Sequence, residues 1–277
     1  MKNTATDPAA SSNAPSAPAP QQPLLLERNG AIATLRFKRP DALNAIDVPM
    51  ANAFLTAVQS LAADPGVRAV VLCGNGRGFM AGGDLATLRA DPVQGAIDIL
   101  TPLNAALQLL AQMNAPVIAQ VHGAAAGAGL SLVLMADYVI AAEGTRFNLA
   151  YINLGTSCDV GASWALPRIV GVRQALEIAL LGEAFTADDA LRLGLVNRVV
   201  PSAELDSATA ALAQRLANGP TLAYGAMKRL MRASMDHTLP EQLAAEKDAF
   251  VHCAGTEDFR AGVEAFHRRQ SPQFVGR

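Results

Sequence analysis

Gly74-Asn75-Gly76-Arg77-Gly78-Phe79-Met80-Ala81-Gly82-Gly83-Asp84-Leu85 is the stretch on which the reading of this chain turns. It follows the apolar run Val67 to Cys73, which reads as a buried strand, and it precedes a helical pattern. Glycine lets a backbone approach a ligand closely, and Asp84 suits the cap of the next helix while earlier N–H groups point outward. A dinucleotide or Walker-type phosphate loop is the competing reading, yet neither G-x-G-x-x-G in register nor G-K-[ST] is present. A second stretch of the same kind, His122-Gly123-Ala124-Ala125-Ala126-Gly127-Ala128-Gly129-Leu130-Ser131, stands between the strand Pro116 to Val121 and a helix running to Ala136. Small residues would also serve close helix packing. Two such turns at strand-to-helix junctions offer more: two amide donors, one at a helix N-terminus, converging on a developing oxyanion.

Outward from these turns the chain reads as an α/β protein. Leu24 to Glu27 and Ala31 to Phe37 flank Asn29-Gly30, a pair suited to a tight hairpin. Asp47 and Pro49 mark a helix start, and Asp64-Pro65-Gly66 its end. Strand, Gly-rich turn and helix recur at a spacing of roughly 45 to 50 residues, as structural units without clear sequence repetition. From Gly161 onward the pattern is mostly helical, with one short strand at Leu195 to Val200. Ala203 to Ala217, Thr221 to Asp236, Pro240 to Cys253 and Thr256 to Arg268 are Ala/Leu-rich helices, facing either oligomer partners or their own core. The organisation expected is a disordered tail (1–22), a core (23–200) and a C-terminal helical region (201–277).

Composition narrows the function. With 51% hydrophobic residues among 277, the chain can bury a substantial core. Lys and Arg number 22 against 24 Asp and Glu, which gives no basic footprint for a nucleic-acid backbone. No run is apolar for the ~18 residues that a membrane-spanning helix needs. The Ala/Pro/Ser-rich start lacks the apolar region of a secretory signal. The odd cysteine count (Cys73, Cys158, Cys253) without Cys-x-x-Cys spacing suits packing residues in a reducing compartment, so a cytoplasmic location is expected. There is no HExxH and no Cys/His cluster, hence no metal is expected.

Three motifs in order make a resemblance specific. Arg39-Pro40-Asp41-Ala42-Leu43-Asn44-Ala45, then Gly78 to Leu85, then Gly123 to Gly129 resemble the serial signatures of the crotonase (enoyl-CoA hydratase/isomerase) superfamily. The resemblance covers residues 24 to 277 and implies a spiral of ββα units whose C-terminal helices assemble trimers, commonly paired into hexamers. It implies an acyl-CoA thioester substrate, with coenzyme A as part of that substrate and no separate cofactor. It places oxyanion-hole amides on Gly83 and Ala128, and CoA contacts on the backbone around Ala42, Leu43 and Ala81, with Phe250 and Arg269 touching CoA near a subunit boundary. Many relatives carry Gly where this chain has Ala128. Only the backbone N–H is used, and the first turn of a helix has negative φ, so a methyl group is tolerable there.

The chain departs from hydratases of the family, which handle water with two glutamates. Ser131 and Tyr151 stand at the matching positions, and neither is an ordinary base near neutral pH. A carboxylate, Asp159, occurs in Leu154-Gly155-Thr156-Ser157-Cys158-Asp159, in a Gly-x-x-x-Asp spacing that resembles isomerases and aryl-CoA dehalogenases of the superfamily. The alternative for Asp159 is an N-cap of the helix Gly161 to Val170. A dehalogenase also needs a histidine, and Asn104 occupies that place; His122 reads as support for its turn, and Asp84 and Asp137 as caps or turn residues. Trp164-Ala165-Leu166-Pro167-Arg168 and the C-terminal Asp258 to Phe274 resemble the isomerases. The expected function is therefore an isomerase with Asp159 as proton shuttle in a pocket bounded by Tyr151, Ser131 and Trp164. A hydratase with rebuilt acid/base residues and a non-catalytic or RNA-binding protein of the fold are the alternatives.

Overall fold

Side-chain alternation decides how the first strands lie. In the computed structural model, which describes residues 22–277, β1 (Leu24–Asn29) and β2 (Ile32–Phe37) form an antiparallel hairpin turning at Gly30, whose φ is 57°. β2 buries Ala33, Leu35 and Phe37, every second residue, so a single face meets the core. β3 (Ala69–Gly74) is buried at every position. Its Val70 and Leu72 enter the main core, while Val71 packs with Ile118 and Ala213 on the opposite face of the sheet. Burial on both faces is why a continuous apolar run, not an alternation, marks this strand. The tail reading of residues 1–22 falls outside the described residues except at Gln22.

The remaining strands are β4 (Val117–Val121), β5 (Ala124–Ala126), β6 (Tyr138–Ala142), β7 (Arg146–Asn148), β8 (Phe185–Thr186) and β9 (Arg198–Val200). The helices of the core are α1 (Val48–Ala62), α2 (Leu85–Ala90), α3 (Pro92–Gln112), α4 (Ala128–Met135), α5 (Ala162–Val170), α6 (Val172–Leu181) and α7 (Ala187–Arg192). Four more follow: α8 (Leu205–Ala217), α9 (Thr221–Ala233), α10 (Leu239–Ala254) and α11 (Glu257–Arg268).

The large sheet runs β1-β2-β3-β4-β6-β9, parallel except for the opening hairpin, and the small sheet runs β5-β7-β8. Each turn of the spiral therefore contributes a strand to the large sheet, a short extended piece to the small one, and then helix. Met80 is that piece in the turn after β3, bridging in parallel to Ala125. The expected spacing fits the step from β3 to β4, but β6 follows much sooner, because α4 is short. The two-residue strand β8 carries no apolar alternation by which sequence could find it.

The C-terminal helices divide in two. α8 closes the back of the large sheet, with Ala213, Leu212 and Leu216 against Val71 and Ile118. α9 is tied down by Asp137, whose carboxylate lies 2.7 Å from Lys228 Nζ and 2.7 Å from Arg232 and also accepts the Val117 amide at 2.8 Å. Asp137 stands in the bend between α4 and β6, as the turn reading expected, and is in addition an ion-pair hub joining β4 to α9. α10 and α11 leave Leu239, Leu243, Phe250, Val251 and Phe266 exposed on the single chain.

One buried side chain clamps the first Gly-rich turn. Asn44 is fully buried, and its Nδ2 donates to the carbonyls of Asn75 (2.9 Å), Gly78 (2.9 Å) and Phe79 (3.2 Å), while its Oδ1 accepts the Arg39 amide (2.9 Å). Arg39 in turn reaches both helix caps, 3.3 Å from Asp47 and 2.9 Å from Asp84. Phe79 anchors the turn from below, its ring edge-on to Phe37 at 5.8 Å. Replacing Asn44 by Ala strands these carbonyls in the interior, where each unsatisfied group costs about 1–3 kcal/mol. Asn44→Ala is expected to lower unfolding free energy by at least about 2 kcal/mol in a denaturant titration, and an unchanged midpoint would contradict the clamp.

Candidate active site

The two Gly-rich turns are stitched to each other by their backbones. Phe79 and Met80 donate to the carbonyls of His122 (2.8 Å) and Ala124 (3.0 Å), and Ala126 donates back to Met80 (2.9 Å). The contact is so close that a Cβ at Gly129 would overlap the Met80 carbonyl oxygen, and Gly82 sits at φ 107°, a region only glycine enters without strain. His122 Nε2 lies 2.9 Å from the Gly76 carbonyl, so this histidine links the turns, and it does not border the cleft described below.

This stitching fixes where the expected donors stand. Ile46 donates to Gly82 and accepts from Asp84, both at 2.8 Å. The alternation of an extended backbone then turns the N–H of the intervening Gly83 to the other side. Ala128 is the first residue of α4, where helix geometry leaves amides without an internal partner, and its φ is not positive. Neither the Gly83 nor the Ala128 amide donates a hydrogen bond among the described residues. A Cβ built on Gly82 would stand 3.7 Å from the Ala128 nitrogen, which measures how closely the two turns approach.

Both residues border a cleft of about 720 Å³. Its apolar wall is Ile46, Leu88, Ile99, Leu100 and Leu103; the last three, with Pro92 and Ala96, follow the helical period along α3. That period was visible in the sequence, although it did not mark these residues as pocket walls. The polar wall carries Tyr151, Ser157, Cys158 and Asp159. Asp159 is the one carboxylate among the lining residues.

Asp159 does not cap α5, whose N-cap is Gly161 with no side-chain cap bond. Its Oδ1 instead accepts a short hydrogen bond from the Tyr151 hydroxyl, which lies 3.0 Å from the Oγ of the fully buried Ser131. Ser131 Oγ also donates to the Gly127 carbonyl at 3.2 Å. Ser131 and Tyr151, the two residues expected in place of acids, are thereby joined to the one acid among the described lining residues. Backbone strain brackets the pair: Ala150, just before Tyr151, has φ 28°, and Val160, just after Asp159, has φ 53°. Burial pushes the Asp159 carboxyl above the ordinary aspartate range, with the Tyr151 hydrogen bond pulling the other way. Burial and then the charge of Asp159 push the Tyr151 phenol far up, so it stays protonated and keeps donating.

Other expected residues fall elsewhere. Ala81 lines the cleft, and its amide donates to the Leu43 carbonyl at 3.0 Å, Leu43 itself being held at φ 48°; Ala42 is partly exposed beside it. Trp164 does not border the cleft. It lies on the outer face of α5, with the Arg168 guanidinium 4.3 Å from its ring centre, because the helix turns positions 162, 165 and 166 inward and 164 outward. Asn104 is also outside, sharing a separate depression with Trp164 and Arg229. Phe250 packs edge-on against Phe259 at 6.0 Å on α10, and Arg269 ends α11 at φ 54°; neither reaches the cleft of its own chain. Among the described residues no group of three or more His, Cys, Asp or Glu is placed to hold a metal ion. No described helix is long and apolar enough to cross a membrane.

Comparison with known proteins bears on this arrangement. The family model described as enoyl-CoA hydratase/isomerase matches residues 27–277. The 1,2-epoxyphenylacetyl-CoA isomerase of Escherichia coli is 36% identical over 250 residues, spanning 89% of this chain and 95% of that protein. The 2,3-dehydroadipyl-CoA hydratase of Escherichia coli is 35% identical over 255 residues, spanning 92% and 99%. Among solved structures, an enoyl-CoA hydratase from Mycobacterium smegmatis superposes with a TM-score of 0.86 at 34% identity, covering 91% of this chain and 98% of that one.

The desolvated acid has a thermodynamic signature. Its folded pKa is raised, so ionisation of Asp159 is penalised in the native state, and this penalty appears as pH rises above the ordinary value of 3.8. Asp159→Asn removes the penalty and keeps an acceptor for Tyr151. The variant is expected to melt higher than the wild type at pH 7, and the difference should vanish below pH 3.8. A melting temperature lowered equally at both pH values would contradict the assignment of a desolvated carboxylate.

Proposed function

The chain belongs to the enoyl-CoA hydratase/isomerase (crotonase) family, and within that family we propose an isomerase that moves a double bond, or rearranges a ring epoxide, through a thioester enolate. The observation that carries this reading is Asp159, the single carboxylate among the described residues bordering the cleft: it accepts a hydrogen bond from Tyr151, whose hydroxyl in turn lies 3.0 Å from Ser131, and these two residues match the hydratase glutamate positions by resemblance. Hydration needs one group to activate water and another to deliver a proton, whereas isomerisation needs one base that takes a proton and gives it back.

In this mechanism the thioester oxygen accepts hydrogen bonds from the Gly83 and Ala128 amides. Those bonds strengthen as negative charge develops, and the loss of one such donor typically costs about 2.7–4 kcal/mol of transition-state stabilisation. Asp159 removes a proton from the carbon next to the carbonyl of a 3-enoyl thioester. The electron pair spreads onto the thioester oxygen and along the chain, and the same proton returns two carbons further on, leaving the 2-enoyl product. Desolvation raises the basicity of Asp159 and thereby favours the first transfer. Ile99, Leu100 and Leu103 give the acyl group an apolar wall. The CoA moiety runs along the backbone of Ala42, Leu43 and Ala81. Phe250 and Arg269 reach it from a neighbouring subunit of a homotrimer or dimer of trimers, whose contacts the exposed apolar side chains of α10 and α11 supply. We place the enzyme in the cytoplasm.

A hydratase is the second reading, favoured by the similar identity of a relative named as one. A panel of 3-enoyl-CoA, 2-enoyl-CoA and ring-epoxide CoA esters, with products resolved by mass and ultraviolet spectrum, separates the two. The isomerase converts 3-enoyl to 2-enoyl ester without gain of mass, and Asp159→Asn abolishes the conversion while leaving ester affinity nearly intact. Water addition to the 2-enoyl ester as the dominant reaction, or full isomerase activity in Asp159→Asn, overturns the proposal.

A further inference from the structure

A carboxylate that carries a proton between two carbons of one substrate must present the same oxygen to both, and a free carboxylate in a cleft can turn about its last bond. Here one oxygen is already committed. Oδ1 of Asp159 accepts the Tyr151 hydroxyl, whereas Oδ2 has no hydrogen-bond partner among the described residues. Tyr151 has one proton to give and gives it to Asp159, so its 3.0 Å contact with Ser131 relies on the serine proton, which the Gly127 carbonyl at 3.2 Å also attracts. Gly127 immediately precedes Ala128 and donates its own amide to Asn148 at 2.9 Å. The chain Asp159, Tyr151, Ser131, Gly127 therefore runs from the acid to the turn that carries one of the two open amides.

We infer that Tyr151 is the positioning residue of this site: its hydroxyl caps Oδ1 of Asp159, leaves Oδ2 as the oxygen that meets the substrate, and is held by Ser131 against the turn carrying Ala128. The inference rests on the isomerase reading and adds to it a fixed orientation of the base relative to the thioester oxygen. The positive φ at Ala150 and at Val160 has a place in this account, since both strained residues adjoin the hydrogen-bonded pair and hold it in register. The titratable and charged groups bordering the cleft are Arg89, Tyr151, Cys158 and Asp159, and of these Tyr151 alone hydrogen-bonds to the acid. A donated hydrogen bond favours the ionised carboxylate against desolvation, so its removal moves the acid limb of the rate profile upward.

The test is the pH dependence of kcat/KM for 3-enoyl-CoA isomerisation in the wild type, Tyr151→Phe and Ser131→Ala, with melting temperatures measured alongside. Tyr151→Phe is expected to lose about 10- to 100-fold in kcat with little change in KM, the effect of one hydrogen bond to a charged group, and to shift its acid limb to higher pH. Ser131→Ala should shift the limb in the same direction by less. An acid limb that stays at the wild-type pH in both variants overturns the inference, whatever happens to the melting temperature. If Tyr151→Phe fails to fold, the limb of Ser131→Ala decides. Asp159→Asn measured in the same assay keeps the two levels apart. Should it retain full activity, the isomerase reading itself fails; should it be inactive while neither limb moves, only the role of Tyr151 does.

Discussion

Three backbone hydrogen bonds, Phe79 to His122, Met80 to Ala124 and Ala126 to Met80, join the two Gly-rich turns, and the rest of the site depends on them. They place Gly83 and Ala128 on the border of the same cleft without using either amide. No side chain could do this as rigidly, since a main-chain donor held by strand pairing on one side and a helix start on the other has no rotamer to lose. The need for glycine at these turns follows: a Cβ at Gly129 would collide with the backbone that makes the joint. Asn44, Phe79 and Arg39 then hold the first turn from beneath, through a buried amide, an aromatic edge and a bridge between two helix caps.

The other half of the site is built on strain and burial. Tyr151 and Asp159 sit on the irregular segment between β7 and α5, next to residues with positive φ, where the chain has few alternatives once the hydrogen-bonded pair has formed. An acid set in such a pocket is costly to ionise, and for the same reason it is a better proton acceptor.

Much of the fold was legible. The hairpin at Asn29-Gly30, the helix capped by Asp47, the buried strands on either side of the Gly-rich turns and the four closing helices stand within a few residues of where pattern and capping put them. The second sheet was not legible, because β5, β7 and β8 are two or three residues long and pair through contacts distant in sequence. Asn44 belonged to a recognised motif, yet its role as a clamp required knowing which carbonyls lay above it. Trp164 illustrates the opposite error: its neighbours in sequence suggested a pocket wall, and helix phase turned it outward. Ser131 and Tyr151 were expected only as walls of the Asp159 pocket, and three-dimensional placement adds the hydrogen bond from Tyr151 to the acid with Ser131 behind it.

The central claim is that main-chain donors stand ready to draw charge onto a thioester oxygen. Isotope-edited infrared spectroscopy of a bound, slowly turned over acyl-CoA labelled at the thioester carbonyl reads that interaction directly. The account predicts a carbonyl stretch at clearly lower frequency when bound to the protein than in water. A bound carbonyl that absorbs at or above its frequency in water would contradict it.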